Sequence, residues 1–117
     1  MNTRKTGQYY EGKAATYLRQ QGYRIIEQNY RCRSGEIDII ALHETYLVFV
    51  EVKYRATESS GDAMAAVDWK KQKKICRVAK WYMMERRYGD ETKCRFDVVG
   101  IQPPLMQVYQ NAFDFIG

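Results

Sequence analysis

Asp38, Glu51 and Lys53 bring two carboxylates and an ammonium together at spacings that permit joint chemistry. Glu51 and Lys53 lie two apart in the apolar run at residues 46–54, so on a strand both leave one face while Val50 and Val52 leave the other. A second apolar run at residues 36–42 precedes it so closely that a hairpin is the economical connection. A turn at Glu44-Thr45 opposes residues whose numbers sum to 89, which sets Asp38 across from Glu51. Such a pair of acids resists ionisation through like charge and lost hydration, and a divalent cation relieves both. Oxygen ligands without His or Cys select Mg²⁺ or Mn²⁺ and not zinc. Lys53 beside a metal completes the parts needed for phosphodiester hydrolysis, because it can orient a water or offset charge on a phosphate. On residue types alone, strand-edge acids bridged to Arg or Lys explain the same pattern.

The elements that must position these groups follow from periodicity. Residues 6–21 read as a helix whose buried face carries Glu11, Ala14, Ala15 and Leu18, with Gly22 as its C-cap. Glu11 therefore points inward, either toward the acids or into a salt bridge. A strand is expected at 23–30, then a basic turn at 31–35, then the two hairpin strands, both buried on two faces. Glu36 can share the site or bind Arg31 or Arg33. After a polar loop at 56–62, Asp68 caps a helix running to about Arg87, with Ile75, Val78, Ala79, Tyr82 and Met83 as its apolar stripe. Lys71 lies four residues before Ile75 on that stripe, so it either snorkels at the helix end or reaches into a site. A turn at Gly89-Asp90, a strand at 95–101, Pro103-Pro104 and a short strand at 106–109 complete the order α-β-β-β-α-β-β. No linker or repeat divides the chain, so residues 1–117 are expected to form one domain.

Composition narrows the partner. The chain has 19 Lys+Arg against 14 Asp+Glu, net +5, which favours an anionic polymer or an anionic membrane surface. It has no apolar run of the roughly 20 residues that a span needs and no signal-like start, so a cytoplasmic protein with no membrane association is expected. Cys32, Cys76 and Cys94 are odd in number and lack a CxxC, which argues for reduced packing residues over disulfides or a zinc site. The run Lys70, Lys71, Lys73, Lys74, Arg77 and Lys80 is either a solvated face or a phosphate-contacting one, joined by Arg31, Arg33 and Arg55. The ten tyrosines can stack on unpaired bases, though most are expected in the core or its rim. His43 receives no role.

A wider pattern surrounds these groups: Gly7 with Glu11, Gly22-Tyr23, Asn29-Tyr30-Arg31, Gly35-Glu36-Ile37-Asp38, Phe49-Val50-Glu51-Val52-Lys53-Tyr54-Arg55, Val67 with Lys71-Gln72, and Arg95-Phe96-Asp97-Val98. Through these residues the chain resembles the bacterial YraN family within the PD-(D/E)XK nuclease superfamily, and is similar to archaeal Holliday-junction resolvases. The resemblance implies an α/β (α+β), restriction-endonuclease-like fold with a central mixed sheet of about five strands flanked by helices. It makes Asp38, Glu51 and the Val52 carbonyl ligands of Mg²⁺ or Mn²⁺, Lys53 the catalytic lysine and Glu11 an auxiliary acid. Lys71 and Gln72 match helix-borne polar residues that approach the scissile phosphate. Arg31, Arg33, Arg55, Lys70, Lys73, Lys74 and Arg77 would then contact DNA. The implied activity is metal-dependent DNA cleavage, including branched or recombining DNA, for which a homodimer suits the two-fold symmetry of a junction. The alternative is a catalytically silent nucleic-acid-binding module that assists DNA repair or uptake. A third reading is a structural adaptor for protein contacts. Where relatives carry an Asp-Gly turn, this chain has His43-Glu44.

Overall fold

The computed structural model describes residues 3–55 and 67–116. The polar loop expected at 56–62 lies outside the described residues. Two helices, α1 (Thr3–Gln20) and α2 (Trp69–Glu85), accompany five strands: β1 (Arg24–Cys32), β2 (Gly35–His43), β3 (Tyr46–Tyr54), β4 (Cys94–Gln102) and β5 (Leu105–Phe113). They form one sheet in the order β1-β2-β3-β4-β5. Neighbours are antiparallel except β3 and β4, which run parallel over eight paired positions from Leu47↔Cys94 to Tyr54↔Ile101. A parallel pair requires a crossover, and α2 lies within that connection.

Each helix covers its own set of sheet residues. On α1, Ala14, Ala15 and Leu18 pack with Ile39, Ala41, Val48, Val50, Val99 and Ile101. On α2, Ile75, Cys76, Val78, Ala79 and Tyr82 pack with Ile40, Leu47, Phe49, Phe96 and Val98. The small side chains of Ala14 and Ala15 let α1 approach the sheet closely, and the central strands are apolar on both faces as a covered sheet requires. None of the described helices is long and apolar enough to cross a membrane. All three cysteines are free; Cys76 is buried in the α2-side core.

Helix ends follow their local chemistry. Asp68, in extended conformation, accepts from the Lys71 N–H at 2.9 Å and starts α2. Asp68→Ala should therefore destabilise the fold by about 1 kcal/mol, read by denaturant unfolding; no change would show that the cap is redundant. Gly22, at φ +93, lets the chain turn left-handed after α1, and the Tyr23 N–H reaches back to the Leu18 carbonyl at 2.9 Å. The expected end of α2 near Arg87 is corrected: the helix stops at Glu85 because Arg87 takes φ +59, and the Tyr88 N–H closes on the Met83 carbonyl.

Two strand boundaries also differ from expectation. Arg31 and Cys32, assigned to the basic turn, extend β1 and pair with Glu36 and Gly35, which leaves Arg33-Ser34 as the turn. The last strand is not short. β5 spans nine residues, because β4 supplies a ladder partner from Gln102↔Leu105 to Phe96↔Phe113.

A buried polar network ties the far end of the sheet to the start of β1. Asp97 is fully buried, and its carboxylate accepts from the Tyr23 hydroxyl (2.6 Å), Arg95 Nε (2.9 Å), Arg95 Nη2 (2.8 Å) and the Asn111 N–H (2.9 Å). Arg95 Nη2 also lies 2.8 Å from His43 Nδ1, and the His43 ring stacks on Tyr23 at 4.1 Å. The sequence reading left His43 without a role; it is a packing and hydrogen-bonding partner here. Tyr23→Phe removes one donor to a buried charge and is expected to reduce stability by about 2 kcal/mol in chemical denaturation. An unchanged midpoint would mean that water replaces the hydroxyl.

Candidate active site

The hairpin register is the one the spacing predicts. Ile39↔Val50, Ile40↔Phe49, Ala41↔Val48, Leu42↔Leu47 and His43↔Tyr46 are paired, and Glu44 adopts a left-handed φ of +56 in the turn. The His43-Glu44 departure thus leaves the register intact. Beyond Ile39 the ladder pairing gives way to a side-chain contact, in which Asp38 Oδ2 accepts the Val52 N–H at 2.8 Å. Strict side-chain alternation also breaks there, since Ile37 and Ile40 both join the α2-side core while Ile39 faces the α1 side. β3 remains paired to β4 through Val52↔Val99, so β2 and β3 part at Asp38 while β3 stays anchored.

A cleft of about 470 Å³ opens at this split, and Arg31, Gly35, Glu36, Asp38, Glu51, Lys71 and Lys74 contribute to its walls. Glu51 is nearly buried, with its side chain 8% exposed. Lys53 Nζ stands 3.4 Å from Glu51 Oε1, and Lys71 Nζ stands 3.9 Å from the same oxygen. Lys71 therefore reaches inward from α2. Glu11, Glu36 and Asp38 bring carboxylate oxygens within 4.8 Å of one another. Glu36 therefore shares the site with Glu11 and Asp38 while also pairing with Arg31 at 2.9 Å.

The electrostatics follow from this crowding. Burial, then the charge of Glu51, and further the charge of Glu11 raise the Asp38 carboxyl to about 8; the Val52 N–H opposes them. Burial and the charge of Glu36 raise Glu11 as well, against a hydrogen bond from Asn29. With its amide nitrogen turned toward the acids, Asn29 donates to Glu36 Oε1 at 3.0 Å and to Glu11 Oε1 at 2.6 Å. Asn29 takes φ +55 within β1, a conformation for which Asn is suited. Its role escaped the reading from residue types, although an Asn inside a strand-like run is a signal of such a kink.

The remaining predicted residues divide. Lys74 lines the cleft, whereas Arg33, Lys70 and Arg77 are exposed near it in sequence or along α2. Lys73 places its ammonium 4.5 Å from the centre of the Trp69 ring. Arg55 Nη1 donates to the Tyr54 carbonyl, and the Gln72 amide donates to the Val67 carbonyl at 3.0 Å, so neither is drawn into the acid cluster by these contacts.

Fold and cleft together define a mixed α/β protein that gathers four carboxylates and three lysines where two sheet strands separate. The chain belongs to the family described as uncharacterised protein family UPF0102, the YraN family, whose model matches residues 10–101. That window contains Glu11, Asn29, Glu36, Asp38, Glu51, Lys53 and Lys71. A UPF0102 protein of Lachnoclostridium phytofermentans is 46% identical over 117 residues, covering 100% of this chain and 99% of its own. A UPF0102 protein of Alcanivorax borkumensis is 41% identical over 115 residues, covering 94% and 92%. Another, from Syntrophus aciditrophicus, is 47% identical over 97 residues, covering 83% and 76%.

Proposed function

We propose that this protein is a Mg²⁺- or Mn²⁺-dependent DNA endonuclease with a restriction-endonuclease-like fold of the PD-(D/E)XK type. The observation that carries the reading is the split between β2 and β3, which leaves Asp38 beside Glu51 with Lys53 3.4 Å from the Glu51 carboxylate. The donor set fits a hard divalent cation, because it consists of crowded oxygens, and burial together with the charges of Glu51 and Glu11 raises Asp38 to about 8. Asp38, Glu51 and the Val52 carbonyl would hold the ion, with Glu11 and Glu36 in support. Bound there, it supplies Lewis acidity to a phosphate oxygen and makes a water more acidic. Lys53 holds its ammonium where it can donate to the attacking water or to a phosphate oxygen as charge develops. Lys71 and Lys74 place further positive charge in the cleft, and Arg31, Arg33, Lys70 and Arg77 favour an anionic strand across it.

The test incubates plasmid and branched-duplex DNA with Mg²⁺, Mn²⁺ or EDTA. Cleavage should require the metal and vanish in Asp38→Ala and Lys53→Ala. Cleavage that persists in EDTA or in both variants would refute this site. Salt-sensitive DNA binding without cutting in either metal would favour the accessory-module alternative.

A further inference from the structure

Both tryptophans of the chain, Trp69 and Trp81, are exposed on α2, but their surroundings differ. The Lys73 ammonium covers the Trp69 ring at 4.5 Å. Trp81 is 49% exposed and has no ring or cation partner among the described residues. Positions 70, 74, 77 and 81 follow the i, i+4, i+7, i+11 spacing that places residues in one row along a helix. The row reads Lys70, Lys74, Arg77, Trp81, and its three cations are exposed.

One member of the row is already in the candidate active site. Lys74 lines the cleft together with Asp38 and Glu51. Its stem crosses the start of β2 at Gly35, where an added Cβ would stand 3.0 Å from Lys74 Cε. The bare glycine, at φ +147, thus lets the lysine lie over the strand. Trp81 comes seven residues later, about 10 Å further along the helix axis. The nearest acid on α2, Glu85, is occupied by the Tyr30 hydroxyl at 2.9 Å and Arg86 at 2.7 Å, so its charge is partly offset.

We propose that this row is a track for a single strand of nucleic acid leaving the cleft, with phosphates over Lys70, Lys74 and Arg77 and an unpaired base stacked on Trp81. A paired, stacked duplex can offer phosphates to the cations but no free π-face to the indole. The substrate class is therefore DNA with an unpaired segment beside the site of cutting. This inference rests on the nucleic-acid-binding part of the proposed function and is independent of the metal chemistry.

The experiment uses the full chain carrying Trp69→Phe, so that Trp81 is the sole indole, in EDTA at low salt. Oligo(dT) should quench its emission, and a blunt duplex of equal length should leave it nearly unchanged. Trp81→Ala in the otherwise native chain should weaken oligo(dT) binding by about fivefold or more while altering duplex affinity by less than about twofold. Oligo(dT) binding without an emission change, or equal quenching by both DNAs, would overturn the track and leave metal-dependent cleavage as a separate result. Selective quenching in a protein that never cuts DNA would support the track and sink the nuclease reading. Failure to bind either DNA would overturn both.

Discussion

Glu51→Gln is expected to lower metal-dependent DNA cleavage by about 10³-fold while leaving the protein folded. Glu51 is the carboxylate on which the site's charges meet, with Lys53 at 3.4 Å, Lys71 at 3.9 Å and Asp38 interacting electrostatically. The amide keeps the size of the side chain but removes the anionic oxygen that a divalent ion requires. It also leaves both ammonium groups without their shared counter-ion, so metal affinity and the placement of Lys53 fail together. Rate measurements across a Mg²⁺ titration separate these effects. A rate restored fully at high Mg²⁺ would show that Glu51 only assists binding, whereas an unchanged rate at all concentrations would remove it from the chemistry.

Asp38→Asn should have the opposite effects on stability and activity. In the metal-free protein the Asp38 carboxyl titrates near 8 because of burial, Glu51 and Glu11, compared with an ordinary value of 3.8. Between those values the folded state binds a proton that the unfolded chain has released, so stability falls as pH rises. The contribution is fully present below about pH 4, decreases through neutrality and levels off above about pH 8. Asparagine keeps an oxygen for the Val52 N–H while removing the charge. The variant should therefore lose this pH slope and, above pH 8, be more stable than the metal-free wild type. Mg²⁺ should stabilise the wild type strongly at that pH and the variant little, and cleavage should be lost. Denaturant unfolding from pH 4 to 9, with and without Mg²⁺, measures all of this; parallel pH profiles would show that Asp38 is not under electrostatic load.

The hairpin was readable from sequence because its apolar strands flank a two-residue turn, and the position of that turn sets which residues face each other. The same argument placed Asp38, Glu51 and Lys53 near one another, and helix phase brought Glu11 and Lys71 inward. Glu36 and Asn29 were harder, because their places depend on irregularity in β1: a register shift between Ile25 and Glu27 and the left-handed Asn29. No simple strand periodicity survives such kinks. The Asp97 network was hidden for a different reason, since Tyr23 and Asp97 meet across 74 residues of sequence and only tertiary packing aligns them. Gln72 shows the limit of carrying roles across by pattern, because its amide satisfies the local Val67 carbonyl.

Crystals soaked in Mn²⁺ offer the most direct measurement of whether the acids at the β2–β3 split bind a divalent ion. Anomalous scattering should give one strong peak within coordination distance of Asp38 and Glu51, and the peak should disappear in Asp38→Asn. An intact wild-type cleft with no peak under saturating Mn²⁺, or a peak at the same place in the variant, would contradict the proposed metal centre.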